Sequence, residues 1–273
     1  MKRKSGFLMF MGLFGFFFLY APIVSLVIFS FNESKLVMVW GGFSTKWYGE
    51  LLRDPQILEA AWISAKIAFL SASIAVVVGT LGSFVLIRFE RFRTRSLLSM
   101  MITAPLVMPE VIIGLSLLLL FVALQQLISW PANRGMMTII IAHSTFGAAY
   151  AAVVIQSRLV DMDLSIEEAA LDLGAKPVSV FFDVTLPVIA PALLSAWLLA
   201  FTLSLDDLVI ASFVSGPGAS TLPMVIFSKV RLGVSPDVNA LAAIIIAIVS
   251  LGVIIAALNM SRSARLAALR EAP

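Results

Sequence analysis

Six long stretches of apolar residues, near 7–30, 60–87, 99–124, 135–157, 188–213 and 238–260, limit what this chain can fold into more than any other feature. Each reaches the ~20 residues that an α-helix needs to cross a hydrocarbon core of ~30 Å. Inside a bilayer no water is at hand to bond backbone N–H and C=O groups. A span must therefore satisfy its own, which a helix does and an open sheet does not. Composition agrees, being 60% hydrophobic and 13% charged, where soluble domains carry ~25% charged residues. The expectation is an all-α polytopic membrane protein with six transmembrane helices, residues 1–273 forming one transmembrane domain.

Lys and Arg placement sets the expected orientation. With the N-terminus inside, 12 of the 19 fall on the cytoplasmic face, among them Lys2, Arg88, Arg158, Lys176 and Arg270. Six fall outside and Lys66 lies near the outer end of the second span, a bias that favours both termini in the cytoplasm. The net charge of +3 follows from this topology and does not point to nucleic acid. The apolar stretch after Lys2-Arg3-Lys4 is longer than the 7–15 residues of a signal h-region and no A-x-A-like site follows, so it reads as a retained span. The lack of cysteine excludes disulfides and thiol chemistry.

One polar interruption, about 158–187, has an order of its own. Ser165 and Glu168 have the spacing of a capping box, with Glu167 and Glu168 in a first helical turn. Gly174 is placed to end that helix in a left-handed cap, and Pro177 to open a second. The expected helix has about 9 residues and a length of ~13 Å. Ala169 and Ala170 keep its surface low enough to enter another protein's groove; each piece alone would also suit an ordinary capped helix.

The full series, Glu168-Ala169-Ala170, three residues, Gly174, nine residues, then Val184-Thr185-Leu186-Pro187, resembles the cytoplasmic loop of permeases of bacterial binding-protein-dependent ABC importers. It departs from the family pattern only in Val184, where the family has isoleucine. The resemblance implies a type I importer permease fold, with Glu168, Ala169, Ala170, Gly174, Leu186 and Pro187 coupling to an ATPase dimer.

Catalytic chemistry is hard to find. The chain has no G-x-x-x-x-G-K-[ST] phosphate loop, so it is read as a non-enzymatic transport subunit whose energy comes from a partner or an ion gradient. No cofactor or metal site is expected. The single histidine, His143, stands beside Ser144 and Thr145 with no carboxylate near it in sequence, and reads as packing, with a proton relay as the alternative.

Three acids do fall within apolar runs: Glu110, Asp206 and Asp207. An aspartate at a span's centre costs at least ~2.5–3.5 kcal/mol, so such groups face a cavity or a partner. Glu110 follows Pro109, which can open its helix locally. Asp206 and Asp207, being successive, point about 100° apart on a helix. One can line a path while the other bonds a neighbouring helix, or both can serve only to hold the bundle. Acids without matching bases suit a cationic cargo.

The stretches Met108–Ser116, Phe201–Asp207, Ser215–Gly218, Phe43–Tyr48 and Gly233–Leu241 look like the polyamine branch of these permeases, nearest to putrescine importers. That resemblance implies substrate-path roles for Trp47, Glu110, Ser204, Asp206 and Asp207. It also implies as partners a second permease, the ATPase dimer, a periplasmic polyamine-binding protein and a small cationic substrate, all at the bacterial inner membrane. Trp47 has two readings, an ammonium-binding face or an interface anchor, and Tyr48 reads as an anchor. The alternatives to a polyamine ABC permease are a polyamine/proton exchanger, an ABC permease for another cationic solute, or a scaffold subunit.

Overall fold

The computed structural model describes residues 4–35, 39–89, 91–232, 236–251 and 254. Its elements are helical: α1 (Lys4–Phe29), α2 (Lys46–Leu51), α3 (Pro55–Arg88), α4 (Arg95–Val107), α5 (Glu110–Ile128), α6 (Met136–Val160), α7 (Ser165–Asp172) and α8 (Pro177–Val180). A π-turn (Phe181–Thr185) leads into α9 (Leu186–Asp206), followed by α10 (Val209–Val214), α11 (Leu222–Leu232) and α12 (Pro236–Leu251). Among the described residues five helical stretches are long and apolar enough to span: Gly6–Phe29, Pro55–Arg88, Glu110–Ile128, Met136–Val160 and Pro177–Asp206. The expected sixth run extends past α12 outside the described residues, as do Arg262, Arg265 and Arg270.

Two of the expected runs are broken. The third divides into α4 and α5 at Met108 and Pro109, both extended with ψ of 137° and 136°. Pro109 has no N–H to offer Pro105 four residues back and pushes Met108 out of the helical region. The fifth run ends as a helix at Asp206; Asp207 is extended with ψ of 125°, and α10 restarts the chain in a new direction.

By contacts the chain divides into two compact units, Glu59–Val225 and Met1–Leu58 with Ile226–Pro273. In the larger, α6 is the centre, with 67% of its apolar window buried. Its alanines and glycines allow close approach, the means by which helices associate in lipid. A methyl at Gly79 of α3 would come within 3.0 Å of Ala151 Cβ, and one at Gly147 within 3.2 Å of Ala75 Cβ. Ile139, Ala142 and Phe146 of α6 then pack with Ile210, Ala211 and Val214 of α10, and Ile155 and Leu159 with Ile189 and Ala196 of α9.

The other unit is organised by a turn around Asn32, whose side chain accepts from Gly41 N at 2.8 Å and donates to Val39 O at 2.8 Å. Lys229 of α11 lies between Asp54 at 2.9 Å and Asp237 at 2.8 Å.

Candidate functional site

The break after α9 is built around Asp207. Its carboxylate caps α10, accepting from Ile210 N at 3.2 Å and Ala211 N at 2.7 Å. On the other side it meets Nε2 of His143, on α6, at 3.1 Å. His143 Nδ1 is 2.6 Å from Ser204 Oγ, which in turn accepts from Ser71 Oγ of α3 at 3.0 Å. With Asp207 ionised, Nε2 donates to it and Nδ1 accepts the Ser204 proton, so one consistent chain of donors runs Ser204, His143, Asp207, while the single Ser71 hydroxyl proton is shared between Ser204 and Ile67 O at 2.6 Å. His143 therefore has a carboxylate partner, 64 residues away in sequence, and is more than a packed ring.

Serine, histidine and aspartate in contact raise the question of hydrolysis. The ring is used the other way round from a hydrolase triad, with Nδ1 toward serine. Ser204 is also buried and already accepts a bond. The network holds structure. At the far end of α10, Thr138 Oγ1 donates to Val214 O at 2.7 Å and Arg134 Nη1 to Phe213 O at 3.4 Å, so both ends of this six-residue helix are tied to α6 and the segment before it.

Asp206, the last helical residue, is divided from extended Asp207: Asp207 is buried and Asp206 exposed. Asp206 is the last residue of α9, where the final carbonyls of the helix have no intrahelical partner and carry partial negative charge. Glu110 is exposed too, at the first position of α5, where the positive helix end faces it. Gly114, one turn on, lies against α10: a methyl there would come within 3.3 Å of Ile210 Cα and 2.7 Å of Phe213 Cδ2. Thr202 bonds back to Leu198 O at 2.8 Å rather than to Asp206.

Trp47, in the other unit, is buried, and its indole N–H donates to Asn32 O at 2.7 Å. The ammonium of Lys46 already lies over its ring, 4.7 Å from the centroid. Tyr48 is anchored by its hydroxyl, 2.6 Å from Ser30 Oγ.

The polar interruption folds as α7 and α8. The expected capping box does not form: Ser165 is inside the helix and Leu164 is its N-cap, with no side-chain bond. Asp163 does the work instead, accepting from Ser165 N at 3.0 Å, a bond that holds its carboxyl below the usual value. That leaves no Ser165 N–H for the Glu168 side chain, and Glu168 N–H donates to Leu164 O at 3.0 Å instead of to the Ser165 hydroxyl. The C-terminal expectation is met in detail. Gly174 has φ of +88°, with Gly174 N donating to Leu171 O at 2.9 Å and Ala175 N to Ala170 O at 3.1 Å, both bonds of a Schellman motif. Pro177 opens α8. Leu186 and Pro187 lie in the first turn of α9, so helix runs unbroken from Pro177 to Asp206. Because Pro187 offers no N–H, the ladder is disturbed before it, and Leu186 N–H reaches back to Phe181 O in the π-turn.

Within α7 the two glutamates part company. Glu168 and Ala169 are exposed. Glu167 turns inward, its Oε1 accepting from Arg88 Nη2 at 3.0 Å and from Thr185 Oγ1 at 2.6 Å.

Residues 75–265 match the family described as "Binding-protein-dependent transport system inner membrane component". The putrescine transport system permease protein PotI of Escherichia coli K12 is 62% identical over 251 residues, covering 92% of this chain and 89% of that protein. The spermidine/putrescine transport system permease protein PotC of the same organism is 39% identical over 245 residues, 90% of each. Among solved structures, a bacterial ABC transporter importing the acidic polysaccharide alginate superposes with a TM-score of 0.70 at 16% identity, over 94% of this chain and 96% of that one. At that identity the likeness speaks for the fold alone. The chain belongs to the binding-protein-dependent transport system inner membrane components, as a multi-pass, non-enzymatic transport subunit with the type I importer permease fold.

Proposed function

We propose that this chain is the permease subunit of an ATP-driven polyamine importer, with putrescine as its cargo. The observation that carries the reading is the 62% identity to a putrescine permease along nearly the whole chain. In this reading a second permease completes the path, an ATPase dimer docks on α7 at Glu168, and a periplasmic binding protein delivers the diamine. Both termini lie in the cytoplasm, supported by the Lys and Arg bias. A reporter active only in the periplasm should work when fused near Asn133 and fail near Lys176; the reverse would turn the topology over. An ion-driven exchanger is not favoured, since it has no need of a loop such as α7–α8.

Asp206 is the cation-binding carboxylate. It is exposed at the negative end of α9, so helix and side chain attract an ammonium together. Glu110 is a second, weaker station because the positive end of α5 offsets its charge. Ser204 and Asp207 act from behind, fixing the break that presents Asp206. Trp47 contributes least, because Lys46 holds the ring face that a cargo ammonium would use.

The test is putrescine uptake by Asp206→Asn, normalised to assembled complex in the membrane. Losing a charged contact to a desolvated ammonium should cut it on the order of tenfold or more. Unchanged normalised uptake would remove Asp206 from the path.

A further inference from the structure

We propose that Glu167, not the exposed Glu168, is the residue through which motion of the docking helix reaches the membrane spans. The proposal rests on ATPase docking at α7 as set out above. One oxygen, Oε1, joins three elements: its own helix α7, the cytoplasmic end of α3 through Arg88, and the π-turn below α9 through Thr185. Both α3 and α9 pack on α6, so a push on α7 at this point is delivered to two spans at once.

Burial makes this joint firm. Arg88 and Glu167 side chains are each only 13% exposed, in surroundings that include Leu81, Phe84, Phe89 and Phe181. An ion pair shielded from water and salt does not slacken as a surface pair does. It also has a second position available. Arg88 Nε is buried and has no hydrogen-bond partner among the described residues. The guanidinium is thus gripped by one prong, although its geometry favours a two-pronged hold on a carboxylate. A cavity of about 490 Å³ beside Glu167, Arg88 and Thr185 leaves room for the carboxylate to move onto Nε as α7 shifts. Glu167 is a positioning residue that tightens when the loop is pressed, the kind of two-state element that carries coupling between sites.

The experiment uses the full transporter, chain with its ATPase, second permease and binding protein, in proteoliposomes. The readout is putrescine taken up per ATP hydrolysed. In Glu167→Gln the ATPase should still co-purify and hydrolyse ATP, while the ratio falls by about tenfold, within the range that single positions on a coupling route produce. Thr185→Val, which removes only the hydroxyl donor, should lower the ratio in the same direction and decides the matter where Glu167→Gln is not recovered. A purely structural Glu167 would lower the yield of complex and leave the ratio of the surviving complexes at the wild-type value, which would overturn the proposal. Failure of the ATPase to co-purify with the wild-type chain would instead overturn the docking reading beneath it.

Discussion

The loop and the broken span each carry a pair of adjacent acids, and each divides the pair in the same way. In α7, Glu167 turns inward to Arg88 and Thr185 and Glu168 faces out. At the end of α9 the order is reversed: Asp207 turns inward to His143 and the α10 amides, and Asp206 faces out. Residues one step apart on a helix point about 100° apart, so where a helix has one face toward the bundle an adjacent pair readily divides between inside and outside. The inner acid fixes backbone geometry and the outer one stays exposed. The two regions differ in what the inner acid holds: in the span it caps and aims a six-residue helix, and in the loop it clamps one helix to two others.

The largest expected stability effect falls on the inner acid of the span. Asp207→Asn keeps the size but puts an NH2 toward amide donors, and Asp207 accepts from Ile210 N, Ala211 N and His143. Loss of one or two bonds to a buried charge should cost about 3 kcal/mol, visible as a lower melting temperature of the purified complex. Asp206→Asn, at an exposed position, should change stability by less than about 0.5 kcal/mol while lowering uptake. Equal losses of melting temperature in the two variants would end the division of roles on which the comparison stands.

What could be read from sequence here was local. Apolar runs show spans because hydrophobicity needs no partner, and Gly174 and Pro177 announced the end of α7 because each acts through its own backbone angles. Pro109 promised an opening and made a full break. The opposite holds for the bonds that decide which acid faces in. His143 finds Asp207 across 64 residues and Arg88 finds Glu167 across 79, and neither separation has a periodicity to betray it. The capping box failed for a local reason that spacing alone did not weigh: Asp163 takes the Ser165 N–H that the Glu168 side chain would have accepted, and Glu168 N–H is already used by Leu164 O.

Gly174 sharpens the comparison from the loop side. With φ of +88° and nothing within 4 Å of an added methyl, Gly174→Ala meets only the backbone penalty of a left-handed residue, about 1–2 kcal/mol. The melting temperature should fall, by less than for Asp207→Asn, and the coupling of ATP hydrolysis to uptake should loosen because the end of α7 frays. A neutral or stabilising alanine would mean that the left-handed cap, and with it the fixed presentation of Glu167 and Glu168, is not maintained.

The smallest effect concerns acids that are only partly sheltered, and it asks whether burial is what gives the inner members their weight. Lys229 is shared by Asp54 and Asp237, with side chains 25%, 27% and 17% exposed. The bond from Lys229 holds the Asp54 carboxyl below its ordinary 3.8, although burial opposes this. For Lys229, burial works against the charge, but the bonds to Asp237 and Asp54 outweigh it and hold the amine above its ordinary 10.5. The signs follow. Asp54's contribution is complete above about 3.8 and is lost as pH falls through its lowered value. Lys229's contribution is complete below about 10.5 and is lost as pH rises through its raised value. At neutral pH both are in place, yet each partly exposed pair is worth less than about 1 kcal/mol and weakens with salt. Lys229→Met should therefore lower the melting temperature at pH 7 by less than Gly174→Ala does, and high salt should narrow the gap from wild type. A loss as large as that of Asp207→Asn, unmoved by salt, would show that shelter from water is not what separates the strong inner acids from the rest.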